Sequence, residues 1–71
     1  MNLLFFHLEV DFGKDLILVA NNEVDLKDHL AKKGYSQFEF SDLQTTHGTC
    51  SMRDRFNNRE TAKCFYIPKI V

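Results

Sequence analysis

Three histidines and two cysteines are the side chains of this 71-residue sequence that bind metals or act as nucleophiles near neutral pH. His47-Gly48-Thr49-Cys50 has the two-residue gap common in metal sites, and Cys64 with His7 or His29 would complete four ligands. Structural zinc sites present two close pairs, however, and only one is written here. A loop histidine that happens to precede a strand cysteine is the plainer account. Read as a nucleophile and its base, Cys50 and His47 lack an orienting acid and a marked oxyanion site. Asp25 and His29, four apart, with Asp28 beside them, are ordinary decoration of a helix surface. No glycine-rich phosphate loop, nucleophile elbow or HExxH pair occurs. The expectation is a protein that is not an enzyme and carries no metal or cofactor.

A second constellation is electrostatic. Residues 1–45 hold four lysines against eight acids, a balance of -4, whereas residues 46–71 hold five basic residues against Asp54 and Glu60, a balance of +3. Arg53, Arg55, Arg59 and Lys63 interleave with Phe56, Phe65 and Tyr66, the mixture of cations and aromatic platforms that single-stranded RNA or DNA binders use. Four cations neutralise few phosphates, so a solvated hairpin tip or a protein contact explains them better. Arginine forks suit carboxylates, and three within seven residues exceed what exposed salt bridges contribute to stability.

The elements that position these residues follow from hydrophobic period. Residues 3–10 and 15–20 are rich in Leu, Phe, Ile and Val and flank Asp11-Phe12-Gly13-Lys14, which predicts a β-hairpin. A three-residue loop with Gly13 left-handed pairs Val10 with Lys14, Leu8 with Leu16, Phe6 with Leu18 and Leu4 with Ala20. That register sets Leu3, Phe5, His7, Ile17 and Val19 together on the opposite face and Glu9 against Asp15. Both faces of the hairpin are therefore apolar. Residues 21–34 then predict a short helix, with capping residues and acids at its start and Lys32, Lys33 and Gly34 at its end. Its cap is Asn22 or Asp25. Leu26 and Leu30 form a stripe wide enough for one sheet face, with Val24 and Ala31 at the margin.

After Gly34, Tyr35 to Phe40 alternates at period two, an outer strand, and residues 42–48 have no period. Thr49 to Arg53 and Ala62 to Ile67 predict two further strands, the second stopped by Pro68. A two-residue turn at Asn57-Asn58 pairs Arg55 with Glu60 and is preferred on charge over the neighbouring register, which sets Arg55 against Arg59. It places Cys50 opposite Phe65 and Cys64 opposite Ser51, so the two sulfurs face opposite ways as free thiols. The competing reading is a second short helix over 52–58, with Ser51 to Asp54 as a capping box.

Together these elements predict one small α+β domain over residues 1–71, a mostly antiparallel sheet with the helix on one face. Such a domain has 44% hydrophobic residues and a net charge of -1, which fits neither a polybasic arm nor a disordered chain. The amino terminus has no basic residues ahead of its apolar run and no small-residue cleavage site, so no signal peptide is expected, and two cysteines suit a reducing cytoplasm. The order of hairpin, acidic-to-basic helix and strand resembles small proteins of phages and mobile elements in size and style, though in no diagnostic motif. That resemblance implies a small inhibitor or adaptor, including inhibitors of bacterial defence complexes.

The helix covers the Leu4, Phe6, Leu8, Leu16, Leu18 face and leaves Leu3, Phe5, Ile17 and Val19 without a cover. Burying such side chains is worth about 1.5–3 kcal/mol each, so something should cover them: a protein partner or a second copy in a homodimer. The expected contact residues are Leu3, Phe5, Ile17 and Val19 on the sheet with Arg53, Arg55, Phe56 and Arg59 at the tip. Nucleic acid is the lesser alternative, and no membrane is expected.

Overall fold

The structure is a computed structural model that describes residues 2–10 and 13–68. These form β1 (Asn2–Leu8), β2 (Leu16–Ala20), α1 (Glu23–Ala31), β3 (Ser36–Ser41), β4 (Thr49–Arg53) and β5 (Arg59–Pro68). All neighbours pair antiparallel in one sheet of order β2-β1-β5-β4-β3, so the first and last strands meet at its centre and β2 and β3 are its edges. No helix among the described residues is long and apolar enough to cross a membrane.

The hairpin has the expected register, Leu4 with Ala20, Phe6 with Leu18 and Leu8 with Leu16. Gly13 sits at φ +73°, a left-handed conformation that suits a residue without a Cβ. The strands stop earlier than expected, at Leu8 and Leu16, so the ladder does not reach Val10 and Lys14; Asp11 and Phe12 of the expected loop lie outside the described residues. Glu9 and Asp15 escape their opposition because Asp15 turns to His7, whose Nε2 lies 3.0 Å from Asp15 Oδ2.

Asn22, not Asp25, caps α1: its Oδ1 accepts the Asp25 N–H at 2.9 Å. Asp25 instead accepts from the Asn21 N–H. At the other end Gly34, φ +97°, lets the Tyr35 N–H reach the Leu30 carbonyl at 3.1 Å while its own N–H reaches Ala31 at 3.0 Å. This pair of bonds is a Schellman closure, which favours glycine for its left-handed backbone. Leu26 and Leu30 are fully buried in one cluster with Leu4, Phe6, Leu8, Ala20, Cys50, Met52, Ala62 and Cys64. Lys27 Nζ lies 5.5 Å from the centre of the Phe40 ring on β3.

The carboxyl-terminal hairpin departs from the charge-based expectation. Its register pairs Cys50 with Ala62, Ser51 with Thr61, Met52 with Glu60 and Arg53 with Arg59. A five-residue loop, 54–58, replaces the two-residue turn, and β4 followed by that loop replaces the alternative helix over 52–58. The loop is built on one carboxylate: Asp54 Oδ1 accepts the N–H groups of Phe56 at 2.8 Å and Asn58 at 2.9 Å. Burial explains the choice. This register directs Cys50, Met52, Ala62 and Cys64 to the same interior, whereas the expected one would turn one strand over and expose half of them. The two cysteines are free, as expected, but both are buried on one face rather than on opposite faces.

β5 is also longer than expected, ten residues rather than six, because it pairs with β1 and β4 along different halves. Ahead of the start of β4 at Thr49, the aperiodic segment takes over as the neighbour of β5. The Gly48 carbonyl accepts the Cys64 N–H at 2.9 Å, and the Leu43 carbonyl accepts the Tyr66 N–H at 2.7 Å.

Candidate protein-binding face

Strand pleating sends alternate residues to opposite faces, and every ladder register keeps odd-numbered residues together apart from the bulge between Ser36 and Glu39. The face opposite the core cluster thus has two regions. Towards the start of β1 it is apolar: Leu3 pairs with Ile67, and Phe5 stands between Val19 and Phe65. The Phe5 and Phe65 ring centres are 5.5 Å apart and tilted by 45°. Ile17 and Val19 remain 56% and 52% exposed, which for β-branched side chains in a strand is a large uncovered surface.

Towards the β4–β5 loop the same face becomes polar and basic. Arg53 stands opposite Arg59, two like charges that diverge to different partners. Arg53 Nη1 donates to the Asn57 carbonyl at 3.0 Å, and Arg59 Nη2 lies 3.6 Å from Glu39 Oε2. Gln37, Glu39, Ser51, Met52, Arg53 and Arg59 line a shallow cleft of about 200 Å³. Phe65 and Arg59 are six residues apart on β5, so the apolar and arginine regions are separated by about 20 Å at roughly 3.3 Å per residue.

Six of the eight expected contact residues therefore share one face: Leu3, Phe5, Ile17, Val19, Arg53 and Arg59. Arg55 and Phe56 do not join them in the ladder, since both lie in the loop. Arg55 packs beside Gly34, where an added Cβ would lie 3.4 Å from Arg55 Cβ. Phe56 is 77% exposed at the loop tip. Of the other aromatics read as platforms, Tyr66 packs against the core and Phe65 lies among apolar neighbours, so Phe56 alone stays with the arginines, next to Arg55 in the loop. Ile67 and Phe65 were missed as members of the apolar region. The alternation of β5 carried that signal, but only the correct β1–β5 pairing turns it into a shared surface.

The metal and thiol constellations are dispersed. His47 is exposed in the turn while Cys50 is wholly buried, and among the described residues no group of three or more His, Cys, Asp or Glu gathers around a common point. Burial pushes the Cys50 thiol up to about 11 and the Cys64 thiol up to about 12, so both are protonated at neutral pH. Asp25 Oδ1 and His29 Nε2 are 3.7 Å apart on the helix surface. The hydrogen bond from His7 holds the Asp15 carboxyl below its usual range.

Comparison of the chain with models of protein families, with curated proteins and with solved structures finds no match.

Proposed function

We propose that this protein is a non-enzymatic protein-binding module that acts by occlusion, as an inhibitor or adaptor laid against a larger protein. In this reading α1 covers one side of the sheet and the odd-numbered face is left for the partner. The observation that carries it is the exposure of Ile17 and Val19 beside the half-buried Phe5 and Phe65, in the same sheet as Arg53 and Arg59. Aromatic and arginine side chains are favoured interface anchors. The partner this face suits has an apolar patch with carboxylates about 20 Å from it, matching the strand distance between Phe65 and Arg59.

The test is affinity capture from the native cell with the unaltered chain, a Phe5→Glu variant and an Arg53→Ala/Arg59→Ala variant, each first shown to be folded. A partner held through this face is captured by the first and lost or weakened about tenfold or more by the other two, the scale of one or two lost hot spots. Equal capture by all three would reject the reading.

A second reading, binding of single-stranded nucleic acid, draws on Lys63, which lies two residues from Phe65 on the same face. Titration with a labelled oligonucleotide separates the two, because phosphate contacts give a steep logarithmic dependence on salt and an apolar interface does not.

A further inference from the structure

The two edges of the sheet are unlike. β3 carries the protections that keep a strand edge solitary: a bulge between Ser36 and Glu39, a left-handed Gln37 at φ +54°, and the exposed charge of Glu39. β2 carries none of them. Its sequence, Leu-Ile-Leu-Val-Ala, has no charge and no proline, and it pairs with β1 through five consecutive residues without a bulge. Among the described strand residues, the large hydrophobics left exposed are Ile17 and Val19, both in β2. On the core side, Leu16 and Leu18 are only half-buried, although their ladder partners Leu8 and Phe6 are 2% and 0% exposed. All four side chains lack what an outer neighbouring strand would supply.

We propose that the missing neighbour is β2 of a second copy of this chain, paired antiparallel about a two-fold axis at Leu18. Only one symmetric register that keeps the two cores on the same side matches all five apolar residues with five apolar residues. Centring at Leu18 sets Ile17 against Val19 of the second copy and Leu16 against its Ala20, with Asp15 against its Asn21. Centring at Ile17 sets Asp15 against Val19, and centring at Val19 sets Leu16 against Asn22. Each of those leaves an apolar side chain facing a polar one. In the Leu18 register no like charges face each other, and β-branched Ile17 and Val19 meet directly on the exposed face. The product is a continuous ten-stranded sheet with both apolar regions beside the axis and both arginine regions at its outer ends. This inference shares the exposure of Ile17 and Val19 with the partner-binding reading, but it stands on the unpaired edge of β2 and its self-complementary register and uses neither the arginines nor Phe5.

Sedimentation velocity of the full chain from about 1 μM to about 1 mM tests the association, since a single short strand pair is a small interface and small interfaces are weak. The expected result is a monomer–dimer equilibrium that weakens more than tenfold in Ile17→Lys/Val19→Lys, exposed sites where circular dichroism should report an unchanged fold. Arg53→Ala/Arg59→Ala should leave it unchanged. Register is tested by mild oxidation: a mixture of Ile17→Cys and Val19→Cys chains should cross-link, and Ile17→Cys alone should not. A monomer at every concentration overturns the proposal. So does a dimer that survives the lysine pair, or preferential cross-linking of Ile17→Cys to itself.

Discussion

Gly48 lies so close beneath β5 that a side chain there would run into the backbone carbonyl of Cys64, and its ideal Cβ would stand 2.7 Å from the Asp42 carbonyl oxygen. The glycine is buried, and its own carbonyl accepts the Cys64 N–H. It is the point at which the turn gives way to β4. Replacing it forces backbone atoms, not flexible side-chain ends, to move.

Gly48→Ala should therefore destabilise by about 1–3 kcal/mol, the usual scale of overpacking. For a domain of this length each kcal/mol lowers Tm by about 4–8 °C, so thermal unfolding reads the effect directly. Gly13→Ala is the contrast. No atom lies within 4 Å of its added Cβ, leaving only the left-handed backbone cost of about 1 kcal/mol.

Asp54 organises the β4–β5 loop by accepting two backbone N–H groups through one carboxylate oxygen. Asp54→Ala should cost about 1–2 kcal/mol in chemical denaturation, and Asp54→Asn, which keeps an acceptor oxygen, should cost less. The amides of Phe56 and Asn58 should lose hydrogen-exchange protection while those of β1 keep theirs. Equal costs for both variants would assign the effect to charge rather than to the acceptor.

The aromatic contact between Phe5 and Phe65 couples the two central strands. A double-mutant cycle with Phe5→Leu and Phe65→Leu should give a coupling of about 0.5–1.5 kcal/mol in favour of the ring pair. A coupling of zero would mean that the rings pack independently.

The cysteines give a pH dependence with a definite sign. In the unfolded chain both thiols ionise near the ordinary value of 9, whereas in the folded protein burial holds them protonated up to about 11 and 12. Above pH 9 the unfolded state therefore binds fewer protons than the folded state, and stability falls with rising pH. The contribution is complete below about pH 9 and is lost as pH climbs through 11 and 12. Denaturation midpoints between pH 7 and 10.5 should show the decline, and Cys64→Ala should lessen it. At pH 8 a thiol reagent should react slowly with the native protein and with two groups once it is unfolded.

Much of this molecule is written locally. The first hairpin needs only the alternation of Leu4, Phe6 and Leu8 against Leu16, Leu18 and Ala20 with a left-handed glycine nearby, and α1 needs only Asn22, two leucines four apart and Gly34. Its two apolar faces, and hence the case for a covering partner, follow from the same short stretch. The second hairpin was not legible in that way. Pairing Arg55 with Glu60 is worth only about 0.2–1 kcal/mol, and locally nothing weighs against it. What decides its register is non-local: Cys50, Met52, Ala62 and Cys64 all have to meet Leu26, Leu30 and Phe6, and a shift of three residues reverses which face one strand presents. The meeting of β1 with β5, which joins Phe65 and Ile67 to Leu3 and Phe5, belongs to the same class. Its partners lie some sixty residues apart, so no turn or period marks the pairing, and only the shared burial of both strands in one core fixes it.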